Sequence, residues 1–322
     1  MNITPEPVAA AFAASFNGLV QNIGHALLGS ERAVRLVLGS MFANGHVLLE
    51  DSPGTGKTLL ARALAASVTG TTSRIQFTPD LLPSDVTGVS VYDQSSRTFE
   101  FHRGPVFASV VLADEINRAS PKTQSALLEV MAEGQVTIDG VSHAVPDPFL
   151  VIATQNPIEQ AGTYRLPEAQ LDRFLVKLHL GYPSTELALD ILASAAQLDR
   201  TEALQPVISS EEVGEMTRAA AAVFTDRDVL RYANALVEGT RADPRCQLGA
   251  SVRGALALVR LAKVWAASHG RNYLIPQDVK DLAQPVLAHR LVLDPDAELT
   301  GTVPETVISD VLANVPMPTN RV

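Results

Sequence analysis

Residues Asp51-Ser52-Pro53-Gly54-Thr55-Gly56-Lys57-Thr58 have the types and spacing to hold a polyphosphate. Gly54 and Gly56 let the backbone curl until several N–H groups face one anion. Lys57 can reach the β- and γ-phosphates of a nucleotide, and the Thr58 hydroxyl can ligate Mg²⁺. The stretch departs from the strict G-x-x-x-x-G-K-[ST] pattern at one place, where Asp51 stands instead of the first glycine. An acidic pair complements it. Ser109-Val110-Val111-Leu112-Ala113 runs straight into Asp114-Glu115. In a phosphate-loop ATPase the strand beside the loop delivers an Asp to the Mg²⁺ shell, the role expected for Asp114. Glu115, one residue on, is the candidate general base that orients or deprotonates the attacking water. A third apolar run, Phe149–Thr154, ends in Gln155-Asn156-Pro157. Asn156 could touch the γ-phosphate or the water, or it could simply close a turn before Pro157.

These side chains need strands and helices to aim them. His46–Glu50 has strand length and composition, and Leu59–Val68 has apolar residues at helical spacing, so the loop joins a strand to a helix. Upstream, Val8–Leu28 reads as one or two helices broken near Gly18 and Gly24. Ser30–Ala43 reads as another, with Ser30 as N-cap. Downstream, Arg74–Phe77 is a short strand, and Gly88–Asp93 with Arg97–Phe101 alternates like a hairpin. Ser120-Pro121 opens a helix that stops at Gly134, and Gln135–Val145 forms a second hairpin around Asp139-Gly140. A short helix over Leu166–Phe174 leads into a last strand, Leu175–Leu180, and Gly181-Tyr182-Pro183-Ser184 reads as a linker. Beyond it lie helices alone, near 185–197, 210–223, 226–241, 251–268 and 277–291. Pro285 is expected to kink or end the last, and the tail beyond Asp294, with Pro304, Pro316 and Pro318, to end loosely. Strand–helix alternation followed by helices predicts an α/β unit over residues 1–181 and a helical unit over 185–322.

Composition narrows the function. Of the 322 residues, 46% are hydrophobic and 19% charged, ordinary for a globular protein. A net charge of −10 argues against broad nucleic-acid binding. The single cysteine, Cys246, excludes an internal disulfide and fits a reducing compartment. The apolar stretch Val8–Phe16 has no Lys or Arg before it, which argues against a signal peptide, and no apolar run reaches the length of a membrane span. A cytoplasmic location is expected. The seven histidines show no metal-ligand spacing.

Several motifs align in order: Asp51–Thr58, Gly104-Pro105-Val106-Phe107, Val110–Glu115 continuing through Ile116-Asn117-Arg118-Ala119, Ala153–Pro157, Leu166–Phe174 and Gly249-Ala250-Ser251-Val252-Arg253. Together they resemble the MoxR family of AAA+ ATPases, over about residues 25–295. The resemblance implies a parallel sheet in order 5-1-4-3-2 with helices on both faces, a C-terminal all-helical lid, and hexameric rings of identical subunits with ATP and Mg²⁺ between them. It implies that Asn156 is the first sensor residue. It implies that Arg253 is a second sensor on the lid reaching the γ-phosphate, and that Arg173 is an arginine finger given to the neighbouring subunit. A planar, permanently charged fork suits both arginine roles. Arg118 and Arg165 are rival fingers. Arg165 stands where relatives often have Pro, as does Val252 before the sensor arginine. Leu28-Gly29 would pass along the adenine. The resemblance also implies chaperone-like remodelling of protein partners, among them proteins with a von Willebrand factor A domain. Two other readings stay open: an ATP-driven nucleic-acid motor, which the acidic balance disfavours, and an ATP-binding switch with little turnover, which intact Lys57, Asp114 and Glu115 speak against.

Overall fold

The structure, a computed structural model, describes residues 5–51, 54–156, 163–182, 185–186, 188–189 and 201–318. The sheet at its centre has five parallel strands: β1 (Val47–Glu50), β2 (Thr72–Gln76), β5 (Val110–Asp114), β8 (Leu150–Gln155) and β9 (Val176–Leu178). Their spatial order is β2-β5-β8-β1-β9. Counting only these strands, this is the expected 5-1-4-3-2 arrangement.

The strand sequences explain why both faces are covered. Successive side chains point to opposite faces. Val47, Leu49, Val110, Leu112, Leu150 and Ile152 enter one buried core. Leu48, Val111, Ala113, Val151 and Ala153 enter the other. Strands apolar at every position are buried on both sides, as parallel sheets are. On the first face lie α1 (Glu6–Ala26), α2 (Glu31–Phe42) and α3 (Lys57–Ser67). On the second lies α5 (Pro121–Glu133), capped by the Ser120 hydroxyl accepting from the Thr123 N–H. A five-residue helix, α4 (Pro83–Thr87), precedes a hairpin of β3 (Gly88–Asp93) and β4 (Thr98–Arg103). A second hairpin, β6 (Gln135–Ile138) and β7 (Val141–Ala144), turns at Asp139-Gly140 as expected.

After α6 (Glu168–Leu171) and β9, the described chain continues with α7 (Ser210–Ala221), α8 (Arg227–Ala242), β10 (Cys246–Leu248), α9 (Val252–Ser268) and α10 (Pro276–Leu287). It ends with β11 (Val292–Leu293), α11 (Pro295–Leu299) and α12 (Pro304–Asn314). The lid is thus helical apart from the short β10–β11 ribbon. Of the helix expected near 185–197, the described residues include only 185–186 and 188–189.

Two expectations change and one, at Pro285, is refined. First, α1 is continuous through Gly18 and Gly24. Two glycines cost about 1 kcal/mol each in a helix, but Phe12, Phe16, Leu19, Val20 and Ile23 are buried along one stripe, and each such side chain returns about 1.5–3 kcal/mol. Second, α10 runs two residues past Pro285 and tightens into a 3-10 turn at Ala288–Arg290. Third, helices beyond residue 291, which the sequence reading did not list, form in the tail before its end. Pro304 opens α12, and Val307, Ile308 and Val311 bury one side of it. No helix among the described residues is long and apolar enough to cross a membrane.

Candidate nucleotide site

The loop after β1 meets the ends of β8 and β5 because the three strands are neighbours and parallel. Register pairs Glu50 with Gln155 and Ala113 with Ala153, so Asp51, Asn156 and Asp114 all stand at the carboxyl edge of the sheet. Within the loop Gly54 and Gly56 have φ of +85° and +92°, the left-handed region that suits glycine. A side chain at Gly56 would also crowd Leu27, its Cβ lying 3.0 Å from Cδ1. α3 begins at Lys57, so the N–H end of the helix faces the loop. The Lys57 ammonium donates to the Asp51 carbonyl at 2.9 Å, and Thr58 is exposed. Ser52 and Pro53 lie outside the described residues.

Asp51, expected with the phosphate-holding residues, turns its carboxylate elsewhere. The side chain is buried, and it accepts from the Leu180 N–H at 2.6 Å and the Gly181 N–H at 3.1 Å. A carboxylate aimed at a phosphate would repel it. Here it ties the loop to the chain leaving β9, which accounts for an Asp where the strict pattern has Gly.

The acidic pair is tightly networked. Asp114 accepts from the Thr154 hydroxyl at 2.7 Å and from the Arg74 guanidinium at 2.6 Å. The same Thr154 hydroxyl accepts from the Glu115 N–H at 2.9 Å, so one buried residue orients both acids. Glu115 sits at φ 57°, ψ 48°, a left-handed conformation costly for a residue with a Cβ. Its Oε2 accepts from Gln76 Nε2 at 3.0 Å and from Arg118 Nη1 at 2.9 Å. Gln76 in turn accepts from Arg74 at 2.9 Å. Asn156 is buried at the end of β8. Glycines that clear a cradle, a helix start, a lysine, and hydroxyl and carboxylate oxygens of the kind Mg²⁺ prefers are the donor set a Mg-nucleotide needs. The residues fit that group.

The two expected arginines stand apart from this cluster. Arg173 is exposed at the end of the turn that follows α6, at the amino edge of β9. Its neighbour Asp172 is bound by Arg290 of the lid at 2.8 Å. Arg253 is exposed in the first turn of α9. Gly249 makes that turn possible, since a Cβ there would lie 2.6 Å from the Arg241 backbone. The Arg241 guanidinium then holds the Ala250 carbonyl at 2.7 Å, and Ser251 caps the helix by accepting from the Arg253 N–H at 3.1 Å. The helix starts at Val252 without the Pro frequent there in relatives. Of the rival fingers, Arg118 is engaged by Glu115 of its own chain, and Arg165 is exposed. Thr154, Arg74, Gln76 and Arg290 escaped sequence reading. Thr154 alone carried a signal, a hydroxyl in an otherwise apolar strand two residues before Asn156.

A cleft of about 590 Å³ lies between the start of α2, β9 and α10, lined by Gly29 and by Leu180, whose N–H is held by Asp51.

Comparisons with known proteins bear on the same elements. Residues 46–176 match the family described as ATPase family associated with various cellular activities (AAA), and residues 238–311 match the AAA lid domain. The chain is 48% identical over 302 residues to the uncharacterized protein YeaC of Bacillus subtilis, covering 94% of each. It is 43% identical to Chaperone MoxR1 of Mycobacterium tuberculosis, covering 91% of this chain and 79% of that one. A crystal structure of a candidate ATPase from Cytophaga hutchinsonii superposes with a TM-score of 0.91 at 37% identity, covering 98% of both chains. A phosphate loop and an acidic strand end on a 5-1-4-3-2 sheet, a helical lid, and relatives of this identity over nearly the whole length place the chain in the MoxR family of AAA+ ATPases.

Proposed function

We propose that the protein binds Mg-ATP on the Asp51–Thr58 loop, hydrolyses it within a ring of identical subunits, hexameric as in the family resembled, and uses the cycle to remodel protein partners in the cytoplasm. In this reading Lys57 opposes the charge of the β- and γ-phosphates, and Thr58 and Asp114 hold the metal. Bound Mg²⁺ supplies charge neutralisation at the transferring phosphoryl group. Glu115 takes the proton of the attacking water, Asn156 positions that water or the γ-phosphate, and Arg253 senses the γ-phosphate from the lid. Arg173 stabilises the charge that builds up in the transition state.

One observation carries the ring. Lys57 follows the carboxyl end of β1, whereas Arg173 precedes the amino end of the paired strand β9. The length of β1 lies between the two edges, about 13 Å at 3.3 Å per residue. An arginine on that far edge suits a neighbour's nucleotide better than its own. The β3–β4 hairpin supports a protein client. It exposes Val89 and Val91 on one face and the paired Tyr92 and Phe99 on the other, the last 71% accessible, apolar groups suited to a polypeptide. Proteins with a von Willebrand factor A domain are the partner class to try first, and a relative named as a chaperone agrees with remodelling.

Two variants test this. Glu115→Gln keeps the shape but cannot accept the proton, so ATP binding persists and turnover stops. Near-normal turnover would move the base elsewhere. Arg173→Ala loses on the order of 10³-fold or more in rate while keeping ATP affinity. Mixing it with Lys57→Ala, which lacks a working loop but keeps its finger, restores part of the turnover. If demonstrably mixed rings regain none, Arg173 is not a finger.

A further inference from the structure

Among the described residues, Arg290 is the most deeply buried guanidinium the proposed chemistry leaves unused. Its side chain is 3% accessible. It lies in the turn after α10, where Nη1 also meets the Val286 carbonyl and His289 Nε2, yet all three of its nitrogens reach the segment before β9. Nε reaches Asp172 Oδ1 at 2.8 Å, and Nη2 reaches the Phe174 carbonyl at 2.7 Å and the Asp172 carbonyl at 3.3 Å. Nη1 reaches the Leu175 carbonyl at 3.3 Å. One fork thus grips the residues on both sides of Arg173 and leaves Arg173 itself projecting.

The bland alternative is that Arg290 merely fastens the lid. Two observations weigh against it. The lid already shares one apolar core with α1, α2 and α3, so fastening does not require a buried charge. A buried ion pair also adds little stability over apolar packing of the same volume, because desolvating the two charges cancels most of their attraction. What only an arginine can do here is span a carboxylate and several carbonyls with fixed angles. On its other side Arg290 meets the helix that carries Arg253: a Cβ on Gly254 would lie 3.2 Å from Arg290 Cδ.

We propose that Arg290 is a positioning residue that fixes the Asp172–Leu175 turn, so that the lid of one subunit sets the aim of the Arg173 offered to the next. This rests on the reading of Arg173 as a finger acting between subunits. It adds that lid position and finger position are one mechanical unit, and that loss of the clamp is felt in the neighbour's site rather than in its own.

The test separates these two sites. Arg290→Lys keeps the charge but cannot span the carboxylate and the carbonyls together. It should retain ATP affinity and lose about 10²-fold in turnover, the scale of a misplaced group. Mixed with Lys57→Ala, it should regain turnover, since its own loop is intact and the Lys57→Ala subunit brings an intact finger and clamp. Arg173→Ala is mixed in parallel. Normal turnover in Arg290→Lys overturns the proposal. So does a loss that mixing cannot repair while Arg173→Ala is repaired, because Arg290 would then serve only its own site. If Arg173→Ala is not repaired either, the finger reading falls first and the clamp falls with it. Should Arg290→Lys fail to fold by melting and size analysis, Asp172→Asn, which keeps the shape of the partner and removes its charge, is judged in the same mixing assay by the same outcomes.

Discussion

Two groups of ionisable side chains, one at each edge of the central sheet, are held in different ways. At the carboxyl edge stand the acids Asp114 and Glu115, whose outer partners are accessible side chains: Arg74 is 54% exposed and Arg118 44%. At the amino edge stand the bases His46, His289 and Arg290, all buried and all bonded to main-chain carbonyls, those of Met131, Phe174 and Leu175 among them. Side-chain partners at a surface can be exchanged for an incoming ligand, whereas a main-chain carbonyl in a core cannot move away. The difference assigns a different task to each edge. One is arranged to change partners during a reaction, the other to keep geometry constant while that happens.

The largest effect on this comparison should come from Thr154, the fixed point of the exchangeable edge. Thr154→Val keeps the volume and removes the hydroxyl. Asp114 Oδ1 and the Glu115 N–H then lose a buried partner, which costs about 1–3 kcal/mol of stability. Both acids lose their orientation, and turnover should fall about 10²-fold with ATP binding retained. Urea unfolding and steady-state hydrolysis measure the two parts. Turnover close to that of the parent would mean that the accessible partners alone orient the acids.

The amino edge should show itself in acid. Burial lowers the His46 pKa to about 4, and its ring stays neutral while bonded to the Met131 carbonyl and the Val151 N–H. The unfolded chain protonates near 6.5, so it binds the extra proton first as pH falls. The stability held above pH 6.5 is therefore lost progressively toward pH 4, about 2 kcal/mol of it by pH 5. His289, held well below the ordinary value by burial and by the Arg290 charge, adds in the same direction. Denaturation at pH 7 and pH 5 measures the slope, and His46→Gln, which keeps both hydrogen bonds without titrating, should flatten it. An unchanged slope in that variant would remove His46 from the account.

Legibility in sequence follows the same division. The exchangeable edge was readable because its parts are local: Gly54, Gly56 and Lys57 lie within four residues, and Asp114-Glu115 ends one apolar run. The sheet order followed from the family those motifs resemble. What was missed is held by long-range contacts between residues of ordinary type. Arg290 meets Asp172 across 118 positions and Arg74 meets Asp114 across 40, and an arginine in a sequence does not announce its partner. Asp51 was assigned by its place in the motif, but its carboxylate answers to Leu180 and Gly181, 129 and 130 residues on. The folded tail had a local signal in Pro304, Val307, Ile308 and Val311 that nearby prolines obscured.

The smallest effect concerns Gln76, and it sharpens the idea that the outer partners are meant to be exchanged. Gln76 Nε2 holds Glu115 Oε2 while its own oxygen accepts from Arg74, the partner of Asp114. Oε2, accepting from both Gln76 and Arg118, is not open to a water, so releasing it gives Glu115 a second oxygen with which to act as a base. Exposed bonds of this strength are worth about 0.5–1 kcal/mol. Gln76→Ala should therefore raise the share of released Glu115, and with it turnover in the absence of any client, by about two- to fivefold. Glu115→Gln in the same background should abolish the gain, because a released amide still takes no proton. A slower Gln76→Ala enzyme would show instead that Gln76 holds Glu115 in its working position, and the carboxyl edge would then be as fixed as the amino edge.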